Sequence, residues 1–188
     1  MADDVKVDVR RSGRRFEAEA VLDLAADVQT VWETITDYDA LPGFLPGIHT
    51  CRVIERRTPT KTVEHLVIEQ HGEFRFLLFA QAITVWLNVE HELLRMAQAK
   101  AVSVEMGLFR QRAIDVFEGR YELTPLGASR RAPRTQLRYT AVIGLTLPPP
   151  PAIGSMAVRR NLSAQLEAVA EEVARRSRRK ASESTGDA

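Results

Sequence analysis

One cysteine in 188 residues leaves Cys51 without a partner. That excludes a disulfide framework and a thiolate metal cluster. Lysine is also scarce, 4 residues against 22 arginines. Arginine pairs planar anions better than lysine does, but a net charge of +1 gives no overall field toward nucleic acid or anionic membrane. The four histidines (His49, His65, His71, His91) form neither HExxH nor another metal-ligand spacing. His91 sits in what reads as a charged turn, Glu90-His91-Glu92. GxSxG, CxxC and a phosphate-cradling glycine loop are absent, and no serine has an evident base. Long apolar runs are missing too. The best candidate, residues 74–89, is broken by Arg75, Gln81 and Asn88 and falls short of the roughly 20 residues a membrane-spanning helix needs. The opening MADDVKVDV lacks the basic-then-apolar pattern of a secretory signal. These absences lead us to expect a cytoplasmic protein with no metal, no cofactor and no integral membrane association.

What is present is ordinary globular composition, 45% hydrophobic and 27% charged. The length fits one domain, which we place at 1–178, followed by a disordered tail at 179–188. Val5, Val7 and Val9 alternate with polar residues before a Ser12-Gly13 turn, a strand or hairpin extension over 5–13. Phe16, Ala18, Ala20, Leu22 and Leu24 then share one face of the first main strand. Val28, Val31, Trp32 and Ile35 follow at helical spacing, with Asp27 placed as N-cap. Pro42, Gly43, Pro46 and Gly47 end the helical stretch near Tyr38. Asp37, Tyr38 and Asp39 are assigned to that local turn.

Strands are expected at 51–57 and 62–71, with His71-Gly72 as a turn. Residues 74–89 read as one strand apolar on both faces, which demands cover on both. Further strands fall at 93–104, 113–123 and 135–145, with Phe117, Gly119, Tyr121 and Leu123 inward on one and Leu137, Tyr139 and Ala141 on the next. Residues 148–151 are a proline spacer, and Pro151 suits a first helical position. From there to about residue 178 Val158, Leu162, Leu166, Val169 and Val173 make one helical stripe.

The string VW…ITDYDALPGFLPGI (31–48), with weaker echoes in FEGRYEL (117–123) and TQLRYTAVI (135–143), resembles the START / polyketide cyclase–dehydrase (SRPBCC) superfamily. Within it the branch of coenzyme Q-binding START-like proteins and ribosome-association toxins is most similar. The likeness spans most of residues 5–176. It implies an α+β helix-grip fold: a curved antiparallel sheet of about six to seven strands around a long C-terminal helix, with short helices after the first main strand.

The resemblance also implies a cavity between sheet and helix that binds or carries an apolar small molecule, such as a lipid, a prenylquinone or a polyketide-like compound. Its expected lining is Trp32, Phe44, Phe76, Trp86, Phe117, Tyr121, Tyr139, Met156 and Leu162. No residue is assigned a catalytic role. Two other readings remain: a metal-independent polyketide cyclase or dehydrase using the same cavity, and a toxin-like regulator touching ribosome or RNA through Arg159, Arg160, Arg175 and Arg176. The RNA reading lacks stacking aromatics interleaved with those arginines.

Overall fold

The computed structural model describes residues 5–76, 79–106, 114–127, 132–146 and 151–185. Its elements are β1 (Val7–Ser12), β2 (Arg15–Leu24), α1 (Val28–Thr36), a 3-10 turn at Leu41–Gly43, β3 (Ile48–Arg57), β4 (Val63–Phe76), β5 (Phe79–Glu92), β6 (Met96–Met106), β7 (Ile114–Leu126), β8 (Arg134–Leu145) and α2 (Pro151–Thr185). The eight described strands form one sheet in the order β1-β2-β8-β7-β6-β5-β4-β3, every neighbouring pair antiparallel. With α2 laid across the inner face, this is the helix-grip fold.

Local chemistry accounts for the elements. β2 alternates buried and exposed without a fault, with Phe16, Ala18, Ala20, Leu22 and Leu24 inward and the polar residues and Val21 outward. Asp27 caps α1, accepting from the Thr30 backbone at 2.7 Å and from the Thr30 hydroxyl at 2.9 Å. The helix buries Val31, Trp32 and Ile35. On α2 the stripe Val158, Leu162, Leu166, Val169 and Val173 is buried throughout. It packs with Phe16, Ala18, Leu137 and Ala141 into the main core.

Two expectations about the elements are corrected. Residues 74–89 are not one strand: β4 continues through Gly72 to Phe76, and β5 returns from Phe79 in register Phe76↔Phe79. The misleading signal was Gly72, which serves a close backbone approach and not a turn. A Cβ there would lie 2.0 Å from the Gly47 carbonyl oxygen, and that same oxygen accepts from the Glu73 N–H at 2.8 Å. Gly47 matches it, with φ +81° and the Glu73 carbonyl against its own missing side chain. The second correction concerns the tail. α2 runs to Thr185, because Lys180 reaches Glu33 at 2.8 Å on α1 and Arg179 faces Glu183 one turn on. The eight described strands are seven main strands and the N-terminal extension, β1. Residues 148–150 of the proline spacer and 128–131 of the basic loop lie outside the described residues.

Candidate functional site

The inner half of β4 to β7 does not pack as tightly against the helices as β2 and β8 do. It leaves a cavity of about 150 Å³. α1 and the turn after it contribute Ile35, Tyr38, Leu41 and Leu45; the sheet contributes Gln70, Leu87, Val89, Ala99, Phe117, Tyr121 and Tyr139; α2 contributes Gln165 and Val169. Among the described lining residues none is charged. Tyr121 and Tyr139 are cross-strand partners with ring centroids 4.7 Å apart. Gly119 makes room for them, since a Cβ there would sit 3.2 Å from the Tyr139 hydroxyl. Burial pushes the Tyr121 hydroxyl up to about 12, and burial together with the neighbouring Tyr121 raises the Tyr139 hydroxyl as well.

Beside this cavity lies a buried polar chain. The Tyr38 hydroxyl is 2.7 Å from His91 Nε2, and His91 Nδ1 is 3.4 Å from Glu64 Oε2. His91 is 3% exposed. Its ring is nearly parallel to that of Tyr38 and meets Trp32 edge-on, with centroids 5.8 and 5.2 Å away. Glu64 is partly exposed and pairs with Arg56 at 3.2 Å. Burial raises the Tyr38 hydroxyl far above its ordinary value. It also lowers the His91 imidazole, against the opposing pull of Glu64.

A larger groove of about 510 Å³ lies on the other face of β3 to β6, among Glu55, Arg57, His65, Asn88, Glu90 and Lys100. Its walls are solvated charges, so it lacks the apolar surface that drives small-molecule binding.

Of the nine residues expected to line the cavity, Phe117, Tyr121 and Tyr139 do. Trp32 and Leu162 are core, Trp32 packing behind the cavity on His91. Phe44 is partly buried between the two apolar clusters without lining the cavity. Trp86 falls in strand period with Asn88 and Glu90, on the face opposite Leu87 and Val89, so it is an outer-face residue. Met156 is 54% exposed, because Ala157, Val158 and Leu162 occupy the side of α2 that meets the sheet. The Phe76 side chain lies outside those described. Sequence reasoning missed Tyr38, His91, Gln70 and Gln165. His91 was findable: Leu87, Val89 and His91 keep a period of two, which aims it inward while Glu90 and Glu92 point out.

The arginines expected to meet RNA have partners within the fold. Arg175 and Arg176 both bond Glu172, at 2.6 and 2.7 Å. Arg176 also reaches Asp37 at 2.9 Å, and Arg159 donates to the Val7 carbonyl. Arg160 is exposed. Ribosome or RNA contact finds no support in this arrangement. Among the described residues no three His, Cys, Asp or Glu side chains converge as a metal site, and no helix is long and apolar enough to cross a membrane.

A curved sheet gripping a terminal helix over an uncharged cavity defines a START-like protein. The chain belongs to the polyketide cyclase / dehydrase and lipid transport family, whose match covers residues 15–177. No curated protein matches it. Among solved structures it is similar to a START superfamily protein from Mycobacterium smegmatis (16% identity, TM-score 0.67, covering 85% of this chain and 97% of that one). It is also similar to the Zhui aromatase/cyclase from Streptomyces sp. R1128 (18%, 0.62, 86% and 95%). A STAR-related lipid transfer protein from Xanthomonas axonopodis is a third (15%, 0.64, 92% and 95%). At such identities these likenesses speak for the fold.

Proposed function

We propose that the protein binds and carries an uncharged apolar small molecule in the cavity between the sheet, α1 and α2. The observation that carries this reading is a lining of aliphatic and aromatic side chains with a few amide and hydroxyl groups and no ion. A carboxylate or phosphate buried there would find no cation among the described lining residues to offset its lost hydration. Neutral headgroups therefore fit best, such as a prenylquinone ring or the ring of a polyketide-like compound.

Size sharpens the proposal. A cavity of about 150 Å³ is large enough for a benzene-sized body and smaller than the range of about 300–1,000 Å³ that drug-sized ligands occupy. It takes the ring of such a molecule and not its full chain. Native mass spectrometry of purified protein, with lipid extraction, tests this reading. A neutral ring-bearing ligand that raises the unfolding temperature by mass action is the expected result. Failure of every neutral quinone and lipid in a thermal-shift panel would count against it. On the same reading we place the protein in the cytoplasm, a reducing compartment that suits a free buried thiol such as Cys51.

A second reading, proton-transfer chemistry of the cyclase or dehydrase kind, draws on the Tyr38–His91–Glu64 chain. A proton taken by Tyr38 from a ligand would require the Tyr38 proton to pass to His91 Nε2 and the Nδ1 proton to Glu64. Burial opposes the charged forms of both Tyr38 and His91. The intermediate charges are thus disfavoured twice, and carriage is the reading we favour over turnover.

A further inference from the structure

The Tyr38–His91–Glu64 chain has a direction, and the direction says what the ligand must offer. The Glu64 carboxylate, paired with Arg56, can only accept, so the His91 nitrogen facing it, Nδ1, is the one that carries hydrogen. A neutral imidazole holds a single N–H, which leaves Nε2 as an acceptor. The Tyr38 hydroxyl, 2.7 Å from Nε2, then donates to it. Its oxygen keeps acceptor capacity but has no proton left to give. Trp32 and the stacked Tyr38 ring hold the imidazole in place, and at 3% exposure water cannot easily substitute for either bond.

We propose that Tyr38, oriented through His91 by Glu64, is a fixed hydrogen-bond acceptor in the cavity wall. It selects an uncharged ring-sized ligand bearing a hydroxyl or N–H, of the phenol or enol type, and so takes a prenylquinone in its reduced quinol form. This rests on the cavity reading above and adds a sign to it. Burial of one ring's apolar surface, set against the freedom lost on association, gives only weak binding by itself. Useful affinity must come from a polar contact, and the chain fixes which polarity that contact has. Glu64 touches no ligand in this scheme and is a positioning residue.

The test uses 4-methylphenol and its methyl ether, 4-methylanisole, titrated into the full chain by calorimetry at pH 7.5. The two probes have similar rings and differ in the ability to donate. The phenol should bind about tenfold more tightly than the ether, the ratio that one net hydrogen bond of about 1.4 kcal/mol gives. Tyr38→Phe should remove that ratio. Glu64→Gln is the second variant, at a partly exposed position where folding is not at risk. Its amide can donate to Nδ1, so the other imidazole tautomer becomes available and Tyr38 regains a free proton. The phenol preference should then fall at least fivefold, and a ring ketone such as 4-methylacetophenone should gain. Equal binding of phenol and ether to the unaltered protein would overturn the inference while leaving the cavity reading standing. So would a ratio unchanged in Glu64→Gln. Binding of neither probe would overturn both.

Discussion

The two halves of the sheet bury their inner faces in different ways. Under β1, β2 and β8 the chain is dry and closed: Phe16, Leu137, Leu166, Val169 and Val173 are each 1% exposed or less. Under β4 to β7 the second cluster, built on Tyr38, Leu41, Leu66, Ile68 and Leu87, surrounds open volume and a buried imidazole. One helix serves both, with Val169 in the core and also on the cavity wall. The lesson is a division of labour within one sheet. The closed half supplies stability, so the other half can leave space unfilled and hold polar groups away from water.

The largest expected effect tests the closed half. Phe16→Ala should cost about 3–5 kcal/mol, the usual penalty for an aromatic removed from a packed core, read as a lowered denaturant midpoint. An unchanged midpoint would show that this half is not the anchor.

A matched pair of substitutions comes next. Ala141→Leu, in the closed half, should cost about 1–3 kcal/mol by overpacking. Ala99→Leu, on the cavity wall, should change stability by less than about 1 kcal/mol, since the added carbons enter existing space. It should also abolish the thermal shift given by any bound ring compound. Equal costs at the two positions would erase the distinction drawn here.

Acid should separate the regions by pH. His91 has a lowered imidazole pKa, so in the folded state it resists a proton that the unfolded chain accepts near 6.5. Stability contributed by the cavity half is therefore complete above pH 6.5 and declines as pH falls below it. The α1–α2 seam responds later. Hydrogen bonds from Arg175 and then Arg176 hold the Glu172 carboxyl at about 2, so its contribution is lost between about pH 4.5 and pH 2. His91→Gln should flatten the stability profile between pH 6.5 and 5 and leave the acid limb intact. Urea midpoints across that range provide the measurement. The smallest effect belongs to Lys180→Ala, which removes a half-exposed bridge to Glu33. It should cost no more than about 1 kcal/mol, and it should fray the end of α2 in amide exchange.

The closed half was largely legible in the sequence and the cavity half was not, for a physical reason. Phe16 to Leu24 and the stripe Val158 to Val173 obey simple periods because each meets one apolar surface. The cavity half breaks such rules where it is specialised. Gly72 looked like a turn because its reason for being glycine, the Gly47 backbone at the start of the neighbouring strand, is distant in sequence. Tyr38 read as local capping and His91 as a charged turn, since their partners are 53 residues apart. Trp86 and Met156 were assigned to the cavity by size and apolarity, but neither property sets a direction. Strand and helix period do, and they turn both side chains outward.

The order of the strands has a consequence for assembly in time. β2 pairs with β8, bringing Arg15 to Gly144 and Leu24 to Thr135. Such distant pairings carry a large loop-closure cost and form slowly. The β3 to β7 meander joins sequence neighbours and can zip first. Tyr139 arrives on β8, and Gln165 and Val169 arrive on α2, so the cavity wall is completed only after nearly the whole chain has been synthesised. Before β8 and α2 pack, that wall is unbuilt, and a ring-sized ligand would need no gate to move in order to reach it. A ligand captured at that moment would be enclosed as α2 docks. Its exchange afterward would be limited by lifting that helix.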